Sequence, residues 1–204
     1  DKYDYSIVEC LLAGGTEIAF PDYTNFDGLR AWAVLEIKDT VFRNIRFTGD
    51  FNCPNLQTVG QYAFRSSNFT GVFNCPNLQT VDYYAFRYSV FTGVFNCPNL
   101  QTVGISAFFN SKFTGDFNCP NLQTVGITAF RDSVFNGDFN CPNLTSIGNY
   151  AFRDSNFDTI TIGANATLGT SCIGAHSTEF IQDYADNGKL AGTYVWNGSH
   201  WIYQ

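Results

Sequence analysis

Residues 51–60 read FNCPNLQTVG, and nearly the same decapeptide begins again at Phe73, Phe95, Phe117 and Phe139. This fixed step of 22 residues constrains the chain more than any other feature. Segments that recur at such a period fold into stacked units, each burying its apolar face on the next. The units run FTGDFNCPNLQTVGQYAFRSSN from Phe47, FTGVFNCPNLQTVDYYAFRYSV from Phe69, FTGVFNCPNLQTVGISAFFNSK from Phe91, FTGDFNCPNLQTVGITAFRDSV from Phe113 and FNGDFNCPNLTSIGNYAFRDSN from Phe135. Toward the N-terminus the same step continues at Val41-Phe42 and Ala19-Phe20, which extends the count to about seven coils.

Within a unit, F-x-G-x-F-x-C alternates with period two. It predicts a strand with Phe69, Gly71, Phe73 and Cys75 facing inward and Thr70, Val72 and Asn74 facing out. Leu78, Val81, Ala85 and Phe86 complete the core of the coil, and Pro76 marks the turn out of the strand. Phe51, Phe73, Phe95, Phe117 and Phe139 then form one buried ladder, and Cys53, Cys75, Cys97, Cys119 and Cys141 another. In-register strands stand ~4.8 Å apart, wider than the Cβ separation of a disulfide. The ladder cysteines are therefore expected as free buried thiols.

At this spacing the chain resembles the BspA-like (Treponema pallidum type) leucine-rich repeat proteins, recognised by L-x-x-I-x-I-P-x-x-V-x-x-I-G-x-x-A-F. With Phe69 on the first Leu, Val72 falls on the first Ile, Leu78 on the Val, Val81 on the following Ile and Ala85-Phe86 on the Ala-Phe. Asn74 departs from the pattern at an apolar strand position, and Pro76 comes one place late. The tail FIQDYADNGKLAGTYVWNGSHWIYQ is also similar to a terminal segment of such proteins. The resemblance implies an α/β class leucine-rich repeat, here a β-rich solenoid of right-handed stacked 22-residue coils with a C-terminal helix and β-hairpin cap. It also implies a cell-surface or secreted protein, bacterial and host- or matrix-associated.

The expected organisation is one structural domain. Residues 1–46 hold degenerate N-terminal repeats or a cap, 47–156 five near-identical repeats, and 157–204 a last strand, helix and hairpin. In that tail, Ser177 is placed to cap a helix over residues 178–187, stopped at Asn187-Gly188. Asn197-Gly198 is placed to turn a hairpin between Tyr194-Val195-Trp196 and Trp201-Ile202-Tyr203.

Function classes narrow by charge and by what the units lack. A formal net charge of -7 disfavours nucleic acid and anionic membranes. No apolar run reaches the ~20 residues of a spanning helix, and without any Met the chain is expected to begin after a processing boundary. No cofactor or metal is expected, since the cysteines lack the C-x-x-C spacing of metal ligands. His176 and His200 join no recognisable catalytic set. The repeated Asp50, Asp116 and Asp138 read as a solvated stripe, and Arg43, Arg65, Arg87, Arg131 and Arg153 as an exposed column with Asp132 and Asp154 as local partners.

The units differ at few places. Around the Ala-Phe pair the middle coils carry Tyr83, Tyr84, Tyr88, Ile105 and Phe109, and on the strand they carry Val72 and Val94 between flanking aspartates. Aromatic groups on a rigid surface suit a binding site. The expected function is a non-catalytic protein-binding or adhesion module for a host, matrix or cell-surface protein. A structural spacer or surface-layer segment is the alternative, and carbohydrate binding the third.

Overall fold

In the computed structural model the described residues are 11–12, 26–30, 34–45, 47–67 and 69–204. The Ala19-Phe20 pair and Cys10 lie outside them. The 22-residue step becomes a solenoid whose coils each have three sides.

One side is an eight-stranded sheet. Its strands Val34–Ile37, Thr58–Val59, Thr80–Val81, Thr102–Val103, Thr124–Val125, Ser146–Ile147 and Thr167–Leu168 run parallel, with Leu11–Leu12 antiparallel at the N-terminal edge. Thr58 pairs with Thr80, Thr80 with Thr102 and Thr102 with Thr124, so repeats sit in register. The second side stacks the FNC strands, Phe51 against Phe73 and Phe117 against Phe139. A parallel bridge from Asn74 to Asn96 joins its two sheets. The third side is a turn segment held from coil to coil: the Phe64 N–H donates to the Ala85 carbonyl at 2.7 Å and the Phe86 N–H to that of Ala107 at 2.8 Å.

Alternation along the strand is cleanest at its end. Phe73 and Cys75 are buried while Val72 points out, as the pattern predicts. Between the first Phe and the second, however, the chain is not a plain strand. Gly93 and Gly115 take φ of 80° and 77°, left-handed values that a residue with a Cβ resists. The register of Lys112–Asn118 on Thr92–Phe95 shifts between Thr114 and Phe117. The bulge keeps Phe91 and Phe95 both facing the core although a glycine turn separates them.

Three phenylalanine columns fill the interior. Phe64, Phe86, Phe108, Phe130 and Phe152 stack at 5.0 to 5.2 Å between centroids with planes within 10°. Phe51, Phe73, Phe95, Phe117 and Phe139 form the second column, stacked at 5.2 to 5.7 Å. Phe69, Phe91, Phe113, Phe135 and Phe157 form the third, at 5.3 to 6.2 Å. Rings of different columns meet edge to face, as Phe95 meets Phe108 at 5.2 Å and Phe113 at 5.0 Å.

The C-terminal end is covered. The helix Ser177–Asp186 buries Phe180 and Tyr184. Ser177 lies inside its first turn, and the N-cap is His176, with a left-handed backbone and no side-chain cap bond. The hairpin Gly192–Trp196 and Trp201–Tyr203 pairs antiparallel with Thr159–Ile162, closing the edge of the last FNC-side strand. At its tip the Asn197 carboxamide oxygen accepts from the Ser199 and His200 N–H groups at 3.0 and 2.9 Å.

Because Phe95 touches rings above, below and beside it, Phe95→Ala is expected to cost about 3–5 kcal/mol in urea unfolding. The outward neighbour Val94→Ala is expected to stay within about 0.5 kcal/mol.

Candidate functional site

With the inward positions taken up by the apolar core, chemistry is left to outward residues, and the turn side gathers most of those that vary. Its geometry follows from two left-handed residues per turn. One precedes the Ala, as at Tyr62, Tyr84 and Ser106 with φ of 56°, 58° and 51°; the other lies two residues after the Phe, as at Tyr88 and Asn110 with φ of 70° and 78°. Such values are strained in residues with side chains. They are held by the next coil, since the Tyr84 N–H donates to the Ile105 carbonyl at 2.9 Å and the Tyr88 N–H to that of Phe109 at 3.0 Å.

Tyr84, Tyr88 and Phe109 converge on one cation. The Arg87 guanidinium lies 4.7 Å from the Tyr88 ring centroid, 5.0 Å from that of Tyr84 and 5.2 Å from that of Phe109. Tyr88 meets Phe109 edge to face at 5.9 Å, and Tyr62 stacks on Tyr84 at 5.1 Å. Phe109 occupies the place in its coil that arginine holds at 65, 87, 131 and 153, and Arg131 covers it from the far side at 5.5 Å. Tyr83 and Ile105 stand nearby in the sequence of the same turns, 42% and 39% exposed.

This corrects the reading of the arginines as an exposed column with Asp132 and Asp154 as local partners, except at its ends, where Arg43 and Arg153 are exposed. Arg65, Arg87 and Arg131 are half-buried. Among the described residues the ion pairs are Lys38 with Glu36 and His200 with Asp183. The partners of the column are rings, and Asp154 instead accepts the Asp132 backbone N–H at 2.9 Å.

Val72 and Val94 lie on the strand side, 49% and 59% exposed, and do not join the aromatic cluster. The aspartates beside them have structural work. Asp50 accepts the Val72 N–H at 2.8 Å and Asp116 the Asp138 N–H at 2.9 Å, each reaching one coil along. They serve as side-chain pins between coils.

Buried polar columns complete the frame. The Ser111, Ser133 and Ser155 hydroxyls donate to the carbonyls of Ser89, Ser111 and Ser133 at 3.2, 3.3 and 3.2 Å. The serine of A-F-x-x-S was the sequence signal for this column, and its role shows only once coils are stacked. Ladder cysteines are buried and free, and burial drives the Cys97, Cys119 and Cys141 thiols far above their ordinary value. Cys172, outside the ladder, is pushed up to about 11 by burial. Among the described residues no group of three or more His, Cys, Asp or Glu is gathered as a metal ion requires. His176 stacks on Trp196 at 4.0 Å, and His200 sits 3.2 Å from Asp183, whose other oxygen accepts the Trp201 N–H at 2.7 Å. Both histidines are thus tied into the cap. A cleft of about 590 Å³ opens there between the last coil and the helix, lined by Leu168, Ile181, Glu179, Asp183 and His200 among others; nothing in the sequence pointed to it.

A family model described as the BspA type leucine rich repeat region matches residues 25–136 and 101–180, in 6 copies. Neither the curated proteins nor the solved structures gave a match.

The thiol environment generates a test. At pH 8 the native ladder cysteines are expected to resist a disulfide reagent that titrates all of them in denaturant without reduction. Burial raises the folded Cys75, Cys97, Cys119 and Cys141 thiols above the ordinary 9.0, so stability is intact below 9 and is lost as the pH climbs past it, where the unfolded chain sheds protons first. Thermal midpoints are expected to be level from about pH 7 to 8.5 and to fall beyond about 9.5.

Proposed function

The chain belongs to the BspA type leucine rich repeat family, and from that premise we propose that it is a non-catalytic module that binds protein partners through the turn side around Tyr84, Arg87 and Phe109. The family is commonly surface-associated in bacteria, and adhesion outside the cell or at its surface is the role this reading assigns. Among the described residues no helix is long and apolar enough to cross a membrane.

One observation carries the proposal. The frame is nearly identical from unit to unit, and Tyr88 and Phe109, which break the repeat, meet with Tyr84 around a single guanidinium. Tyrosine and arginine are the residues that dominate interface energies. Held by ring contacts and by a turn pinned to the next coil, they lose little freedom when a partner docks. Fold alone does not specify function; the support comes from these side chains. Val72 and Val94 lack comparable neighbours and form a weaker rival surface.

Two double variants, assayed on a panel of matrix and cell-surface proteins with folding checked by circular dichroism, separate the surfaces. Tyr84→Ala with Phe109→Ala is expected to weaken binding by about 30-fold or more, equivalent to about 2 kcal/mol. Val72→Asp with Val94→Asp is expected to leave it within about threefold. If both bind like the parent, neither surface is the site; if the parent binds nothing on the panel, the spacer role replaces binding.

A further inference from the structure

The partner's chemistry can be read from how the arginine column is interrupted. Without Phe109, guanidiniums would stand in successive coils ~4.8 Å apart along this edge, where like charges repel. With Phe109 in place, Arg87 and Arg131 are two coil steps apart, ~10 Å, and face one ring at 5.2 and 5.5 Å. Among the described residues neither has a carboxylate within ion-pair distance, and the Nε of each is buried without a hydrogen-bond partner there. A buried donor left unpaired costs about 1–3 kcal/mol. Ring contact occupies the face of a guanidinium, and what remains for a carboxylate fork is the in-plane edge of its two terminal amino groups, Nε being buried.

Resting on the protein-binding reading above, we propose that Arg87 and Arg131 are an anion-reading pair, and that the partner presents an acidic peptide segment whose carboxylates flank an apolar side chain set against the edge of the half-buried Phe109 ring, whose faces the two guanidiniums cover. Local charge fits. Arg87 and Arg131 flank Phe109, and the Lys112 ammonium reaches the Asp132 carbonyl beside Arg131 at 3.2 Å, so three cations gather here with Asp132 as the adjacent acid. A peptide fits better than an acidic glycan for two reasons. Sugars stack on open aromatic faces, and here Arg87 lies over the rings of Tyr84, Tyr88 and Phe109. The chain as a whole also carries a net charge of -7, which repels a long polyanion but spares a short segment confined to this edge.

The test uses labelled synthetic dodecapeptides with two Glu around a central Leu at varied spacing, matched peptides with Gln for Glu, and heparin as polyanion, read by fluorescence anisotropy. The best Glu peptide is expected to bind at least about tenfold more tightly than its Gln match, a difference of 1.4 kcal/mol, and to weaken as salt is raised. Arg87→Gln with Arg131→Gln is expected to erase the difference, and Arg87→Lys to lose most of it despite keeping the charge. Equal binding of Glu and Gln peptides overturns the proposal, as does a preference for Glu that survives in the arginine double variant. Heparin bound through the same arginines more tightly than any peptide also overturns it, in favour of a glycan. The protein ligand of the preceding experiment separates the two readings. If it is lost on Tyr84→Ala with Phe109→Ala but kept on Arg87→Gln with Arg131→Gln, the turn-side reading stands and the acidic preference falls. If it is kept on both, both fall.

Discussion

Ring on ring is the contact from which the rest of this structure follows. A phenylalanine stacked 5.0 to 5.2 Å from its counterpart in the next coil, as Phe86 is on Phe64 and on Phe108, permits no drift in register. Three such columns share one interior, and edge-to-face contacts between them fix each column against the others. The 22-residue step is the sequence-level trace of that demand.

Polar groups obey the same demand. Serine hydroxyls reach back one coil to a carbonyl, Asn74 and Asn140 give their amide hydrogens to Asn52 and Asn118, and Asp50 and Asp116 reach forward to a backbone N–H. Each ladder satisfies a donor or acceptor that stacking would otherwise strand. The outcome is a division of labour. Inward and ladder residues repeat because their neighbours are their own copies, and freedom to vary falls to outward positions such as those of Tyr84, Tyr88 and Phe109.

Much of this was legible in the sequence because the chain is its own alignment. Phe73 and Cys75 read inward and Val72 outward, and so they lie. The helix expected over 178–187 spans Ser177–Asp186, and the hairpin turns at Asn197 as its dipeptide foretold. Less legible was whatever depends on a residue meeting an unlike residue in the next coil. Arg87 reads as one of a column, and only the stacked structure shows it touching Tyr84, Tyr88 and Phe109 together. Asp116 reads as solvated and is exposed, but the sequence does not show that one of its oxygens accepts the Asp138 N–H. The glycine bulge hid behind a clean alternation because side-chain pattern does not report φ.

In-register identity has a consequence for how such a chain can change over generations. Each coil makes its ring contacts with coils just above and below it, and the frames of those coils are interchangeable; a gene holding this repeat can therefore gain or lose a 66-nucleotide copy by unequal crossover without leaving any ring unmatched. Copy number then acts as a ruler, adding ~4.8 Å of length per unit. A unit with a unique residue, as Phe109 is among its column of arginines, is carried along the body as a movable mark, set nearer to or farther from the cap by the number of plain copies between them.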